Sequence, residues 1–443
     1  MTRFLKTLSL AGLAALVVTL GGCDLTSLND NPNQPSTATT PNLLTNAQID
    51  LADTYWTDYA GAFWIRYAQY WTTNQYTDTD RFRFPTRRSG SNNFNWEDFY
   101  LVLNDLQEIK RINRNDPQEA ASFGSSENQI AIAHIMQAFT LQMMTDMWGP
   151  IPLAEALQGR TGGNFAPSYT SQQEIYTALL DSLTAASDMI DTGSSALASG
   201  DLVYGGNMAN WKKLANALKM RVAMRMSDRM PGEAATAINE AIAAGGFESN
   251  EDNALIPFNI SPPYQNPFYE NYEVDGRDDW TIPQSILGVM NETEDPRRAA
   301  YFTDADPDTP GDQFIGFPYG LPGGEAQQLF TAENFSRPGL GIRQADSPAI
   351  VMLYDEVLFI KAEAALRSDM NVPNITQGGQ QLYRQAIRAS MNRWGVTDNT
   401  AISDFLSRVE MPTASNYRQV LGTQKWVAQY LQGMQGWSTW RRM

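Results

Sequence analysis

The chain has 443 residues, 42% of them hydrophobic and 11% aromatic, enough to bury a large core, and its formal charge at pH 7 is −17. A surface this acidic disfavours nucleic acid, whose phosphates need a basic face. One histidine, His134, and one cysteine, Cys23, all but exclude a Ser-His or Cys-His nucleophile and a zinc site built on those residues, and they forbid an intrachain disulfide.

At the N-terminus, Arg3 and Lys6 precede an apolar run over residues 8–20, a signal-peptide pattern. The run falls short of the about 20 residues that a membrane-spanning helix needs, and nothing later in the chain is long and apolar enough to span. It closes on Leu20-Gly21-Gly22-Cys23, which resembles the lipobox of bacterial lipoproteins. Residues 1–22 are read as a lipoprotein signal peptide and Cys23 as the lipidated residue, against the alternative of a buried, inert thiol. Cleavage removes Arg3 and Lys6 and no acid, so the mature chain is more acidic still. That acidity serves solubility, and with arginine in excess over lysine it also fits a saline habitat. Residues 23–42, polar and proline-bearing without periodicity, form a flexible tether. Residues 43–443 form a single body.

Helical periodicity then recurs in pairs. Phe99, Val102, Leu103, Leu106 and Ile109 follow the i, i+3, i+4, i+7 rule, and Ile132, Ile135, Met136, Phe139, Met143 and Met147 continue it on a second segment. Ser171 and Glu174 have capping-box spacing, which predicts a helix start. The stripe of Tyr176, Leu179, Leu180, Leu183 and Ile190 follows, with Trp211, Leu214, Leu218, Val222 and Met226 on its partner. A short helix carries Ala234, Ala235, Ile238 and Ala241, another is expected around residues 350–366, and a last one carries Leu382, Tyr383, Ala386, Ile387, Met391 and Trp394. The fold class is all-α, with stacked, degenerate tetratricopeptide-like helix pairs.

The stretch at about 247–348 interrupts this plan. Twelve of the chain's 23 prolines fall within residues 257–348, a density that no long helix survives. Its aromatic content argues against disorder, which predicts an ordered, loop-rich, ligand-facing region. Within it Asp304-x-Asp306-x-Asp308 resembles the start of a calcium loop, but Thr309 stands at the turn glycine and Ile315 at the last Glu ligand. It is read as a solvated acidic turn, and neither metal nor cofactor is expected. His134 is read as a packed helix residue. Asp295-Pro296-Arg297 is read as a structural turn, because proline restrains its own backbone and the residue before it.

Binding chemistry is more promising than catalysis. Residues 69–78 mix aromatic faces with amides and hydroxyls, a combination suited to stacking and hydrogen-bonding a sugar ring. The expected ligand-binding set is Trp71, Asn74, Tyr76 and Asp78 from this early stretch, with Tyr264, Tyr269, Trp280 and Tyr319 from the proline-rich region. The competing reading makes Trp71 and Tyr76 core residues of an early helix and its exit loop. A carboxylate-based glycosidase is the alternative in another class, since two well-spaced acids can cleave a glycosidic bond. With 49 acidic residues, such pairs carry no specificity.

Several motifs, in order, give the chain a resemblance to the SusD/RagB family of outer-membrane nutrient-binding lipoproteins. They are Asn31-Pro32-Asn33, Gln75-Tyr76-Thr77-Asp78, Asp146-Met147-Trp148-Gly149-Pro150-Ile151-Pro152 leading to Glu155-Ala156, and Asp201-Leu202-Val203-Tyr204-Gly205-Gly206 before Trp211. Asp295-Pro296-Arg297, Ala362-Glu363-Ala364 and Gln424-Lys425-Trp426 follow, ahead of Trp437, Trp440, Arg441 and Arg442. The resemblance implies four degenerate tetratricopeptide-like helix pairs facing a loop-rich ligand side, and no catalytic residues. It implies a lipid-anchored outer-membrane protein facing the cell exterior, which binds oligosaccharide, or peptide in some members. The implied partner is a TonB-dependent, SusC-like outer-membrane barrel.

Overall fold

The computed structural model describes residues 38–56, 60–83 and 96–443. Cys23, Asn31-Pro32-Asn33 and most of the tether lie outside the described residues. Residues 40–443 form a compact unit. Its longer helices are α1 (Thr40–Trp56), α2 (Ala60–Tyr67), α3 (Trp96–Asn115), α4 (Ser126–Trp148), α5 (Gln172–Met189), α6 (Met208–Met226) and α7 (Pro231–Ala243). They continue with α8 (Gln284–Glu292), α9 (Gly323–Ala332), α10 (Tyr354–Leu366), α11 (Gly379–Arg393), α12 (Asn399–Arg408), α13 (Tyr417–Ala428) and α14 (Gly433–Arg442).

The order of packing is a stack. Helix α1 packs on α3, α3 on α4, α4 on α5, α5 on α6 and α6 on α7, and α6 also meets α10, which pairs with α11 and α13. Each interface buries the stripe that periodicity marks: Phe99, Val102, Leu103, Leu106 and Ile109 on α3, and Trp211, Leu214, Leu218, Val222 and Met226 on α6, are all buried. Ser171 caps α5 in the expected box, its hydroxyl accepting from the Glu174 N–H while the Glu174 carboxylate accepts from Ser171.

Two expectations need adjustment. The body begins at Thr40 rather than residue 43, because Pro41 fits the first turn of a helix, where its missing N–H costs nothing. The helix expected from residue 350 begins at Tyr354, since Ala349–Met352 is a strand, β6, that pairs antiparallel with β4 (Ala254–Ile256). Ile350 and Val351 are both buried, a continuous apolar run that periodicity alone cannot assign to helix or strand. Helices α1, α2, α8, α9 and α12–α14 were not anticipated.

The other strands are also short antiparallel pairs. Strand β1 (Thr72–Thr73) pairs with β5 (Trp280–Thr281), and β2 (Ile151–Pro152) with β3 (Tyr169–Thr170). Turns, single-turn helices, the short strands β4 and β5 and the helices α8 and α9, of nine and ten residues, fill the proline-rich region.

Several of the motifs that carry the resemblance lie in buried polar clasps. Asp201 accepts hydrogen bonds from Gln48 on α1, from the N–H groups of Val203, Tyr204 and Gly206, and from the Trp211 indole at 2.7 Å. Arg297 is fully buried, binding Asp295, Ser390 on α11 and Gln424 on α13, so its turn ties the proline-rich region to two helices. Glu363 on α10 holds Arg442 on α14, and Arg221 on α6 forms a two-pronged pair with Glu356 on α10.

Candidate ligand-binding face

Helix α2 ends at Tyr67, and the chain turns at Gln69, in the left-handed region at φ 58°, before entering β1. This turn is clamped to α13: the Trp426 indole donates to the Ala68 carbonyl and the Tyr70 hydroxyl to the Trp426 carbonyl. The next loop closes on Asp80, whose buried carboxylate accepts from Thr72 Oγ1 at 2.7 Å and the Thr73 N–H at 2.8 Å. Burial pushes Asp80 up to about 6, against the opposing pull of Arg66 at 3.9 Å and of those two hydrogen bonds.

The loop so fixed displays two aromatic side chains. Tyr76 is 63% exposed and Phe82 48% exposed, and both have positive φ, 52° and 54°. Bulky residues avoid that conformation, at a cost of roughly 1–3 kcal/mol, and such strain concentrates at functional surfaces. The proline-rich region reaches the same loop. Asn74 pairs with the backbone of Asp278 and Asp279, the Tyr319 hydroxyl donates to the Arg66 carbonyl at 2.8 Å, and the Tyr319 and Phe82 rings lie 6.5 Å apart. Gly320, at φ 76°, lies against the Asp80 carbonyl, where an added Cβ would stand 3.4 Å away.

The eight expected ligand residues therefore divide. Trp71 and Trp280 are core residues: Trp71 is fully buried with its indole donating to Tyr430 Oη, Trp280 is 6% exposed, and the two rings pack 5.4 Å apart against Phe268. This corrects the expectation for both, and the reason is that Thr73 pairs with Trp280 across β1 and β5, turning both rings inward. Asn74 is buried too, spent on backbone bonds. Tyr76 is exposed, Asp78 and Tyr319 half-buried, and all belong to the loop and its neighbour. Tyr264 is exposed and Tyr269 half-buried, and among the described residues no ring contact joins either to the Tyr76 loop.

Sequence reading missed the aromatic band beside this loop. From Phe82 it runs to Tyr67 (5.1 Å), Trp437 (5.5 Å) and Trp440 (5.5 Å, nearly parallel at 13°), with Trp440 64% exposed. Its members come from α2, the loop and α14, so no local periodicity links them. His134 is half-buried on α4 beside Ser182 Oγ at 3.1 Å, and burial together with Lys110 and Arg114 pulls it down to about 4. Asp304 accepts from the N–H groups of Asp306 and Gln313, as a turn carboxylate does. Among the described residues no group of acidic, His or Cys side chains is arranged to hold a metal ion.

Residues 32–443 match the SusD-like family model described as starch-binding and associating with the outer membrane. No curated protein sequence matches the chain. Among solved structures, a chitin-binding protein is similar at 24% identity and TM-score 0.76, covering 91% of this chain and 87% of that one. A chitin-binding SusD homologue from Flavobacterium johnsoniae is similar at 23% identity and TM-score 0.71 (91% and 85%), and a SusD homologue from Bacteroides fragilis at 21% and 0.74 (91% and 87%).

Proposed function

The chain belongs to the SusD-like family of starch-binding, outer-membrane-associated proteins, and on that premise we propose that it is a lipoprotein, anchored through Cys23 and facing the cell exterior, that binds oligosaccharide without cleaving it and passes it to a TonB-dependent outer-membrane barrel. The observation that carries the reading is the Asp80-closed loop, which holds Tyr76 and Phe82 outward in strained backbone beside Tyr319 and the Trp437–Trp440 stack. Rigid exposed rings offer stacking faces for sugars at little entropic cost. Asp78 beside them, and Tyr264 and Tyr269 on the same proline-rich region, complete the proposed contact set. No helix among the described residues is long and apolar enough to cross a membrane.

Chitin oligosaccharides are the first ligands to try, because two of the similar structures are described as chitin-binding. Titration should show binding, and incubation should return the chains at their original length. Shortened products would replace this reading with a carboxylate-based glycosidase, and binding of peptides in place of glycans would move the ligand class. Purification in mild detergent should recover a large barrel protein with the chain, and Cys23→Ser should abolish lipidation and membrane fractionation.

A further inference from the structure

A cleft of about 730 Å³ opens where the C-terminal ends of α4 and α6, the first turn of α5 and the last turns of α14 converge. Its wall carries four arginines, Arg225, Arg229, Arg441 and Arg442, against two aspartates, Asp146 and Asp228. In a chain with 49 acidic and 32 basic residues this is a local inversion of charge.

The two aspartates do not cancel it. Asp146 already accepts from Tyr176, Gln142 and, at 3.2 Å, Arg225. Asp228 is held by Arg367 at 2.9 Å and Arg418 at 3.0 Å, neither of which lines the cleft. Arg442 is matched by Glu363. Arg229 and Arg441 remain, both exposed and without a carboxylate partner among the described residues; Arg441 lies over the Trp437 ring at 6.0 Å. Gln172 and Gln173 on the same wall belong to the first turn of α5, the positive end of that helix's dipole.

We propose that this cleft binds a carboxylate-bearing saccharide of two or three sugar units, with Arg229 and Arg441 taking the carboxylate. The volume lies in the range of small-ligand sites, about 300–1,000 Å³. A guanidinium fork matches a planar carboxylate in two parallel hydrogen bonds. Gln173 and Ser438 offer donors and acceptors for sugar hydroxyls, and Met226 and Met230 give an adaptable apolar floor. The inference rests on the carbohydrate reading above; the cleft shares α14 with the Trp437–Trp440 stack but is lined by other residues.

The test is calorimetric titration of the full chain with trigalacturonate, its neutral galactose counterpart, chitotriose and inorganic phosphate, comparing wild type with the double variant Arg229→Gln/Arg441→Gln. Neither side chain is buried or ion-paired, so the variant should melt as the wild type does. Trigalacturonate should bind the wild type, weaken as salt is raised, and lose at least about tenfold in affinity in the double variant, while Arg229→Gln alone, which leaves the Arg441–Trp437 contact in place, keeps chitotriose binding the same. Trigalacturonate affinity that survives the double substitution overturns the proposal. So does phosphate that competes as well as the trisaccharide, because the arginines would then read charge alone. Chitotriose binding with no trigalacturonate binding sinks this inference only; absence of binding by every saccharide sinks the carbohydrate reading with it.

Discussion

The helical stack and the loop-rich face solve opposite problems with the same residue types. In the stack, charged side chains are buried in ion pairs, Arg221 with Glu356 and Arg442 with Glu363, and Arg297 with Asp295 repeats the arrangement where the proline-rich region meets the stack. On the face, the strained residues Tyr76 and Phe82 are exposed, and the buried Asp80 beneath them is only 3.9 Å from its nearest cation. Burial makes a pair dependent on its exact partner, so the stack resists substitution. An exposed aromatic needs no particular neighbour and is free to change with the ligand. The motifs around Asp201, Arg297, Glu363 and Arg442 accordingly lie in the clasps, whereas those around Tyr76 and Trp440 lie on the exposed face.

The strongest challenge to that contrast is Arg297→Ala, which leaves Asp295 charged and buried. Unfolding by urea should show a loss of about 3–5 kcal/mol, while the folded fraction keeps its affinity for oligosaccharide. An affinity loss in a variant of normal stability would instead put this turn in the binding site. Trp71→Ala tests the boundary between the two regions. As a core ring it should cost roughly 3–5 kcal/mol, with affinity retained; unchanged stability with weakened binding would restore Trp71 to the ligand.

Tyr76→Gly should do the reverse. Glycine adopts positive φ without strain, so stability should hold or rise by up to about 1 kcal/mol, while oligosaccharide affinity falls roughly tenfold, as expected for a stacking residue worth about 1.4 kcal/mol. Equal affinity in wild type and variant would remove the loop from the proposed site. The effect of His134 is spread over pH. Its ordinary value near 6.5 falls to about 4 in the folded chain, so between these pH values the unfolded chain binds the extra proton. Stability from this residue is therefore complete above pH 6.5 and lost as pH falls towards 4, with a slope of at most about 1.4 kcal/mol per pH unit. His134→Gln should flatten the stability profile in that window, and identical profiles would mean that the ring is solvated.

The stack was legible on α3 to α7 and on α11, where one face of the helix is apolar, though α1 and α12, with buried stripes of their own, escaped notice. The stripes on α3 and α6 need only the periodicity of buried positions, and the Ser171 cap needs only four residues. Helix α14 was missed because glycine, serine and arginine interrupt any stripe, and its place depends on Ile65, against which Gly433 fits with no room for a Cβ. The same limit divided the ligand set. Trp71 and Tyr76 are similar in composition and neighbourhood, yet one is in the core and the other faces solvent.

By itself the sequence determined the all-α stack, the loop-rich break at its prolines, the capped start of α5 and the family, because each depends on short-range spacing or on ordered motifs. Tertiary structure alone decided which aromatics face outward and which arginines remain unpaired. The pairing of β1 with β5 spans about two hundred residues, and the partners of Arg297 and Arg442 lie on distant helices. No local pattern encodes contacts of that separation, since they exist only once the stack has assembled.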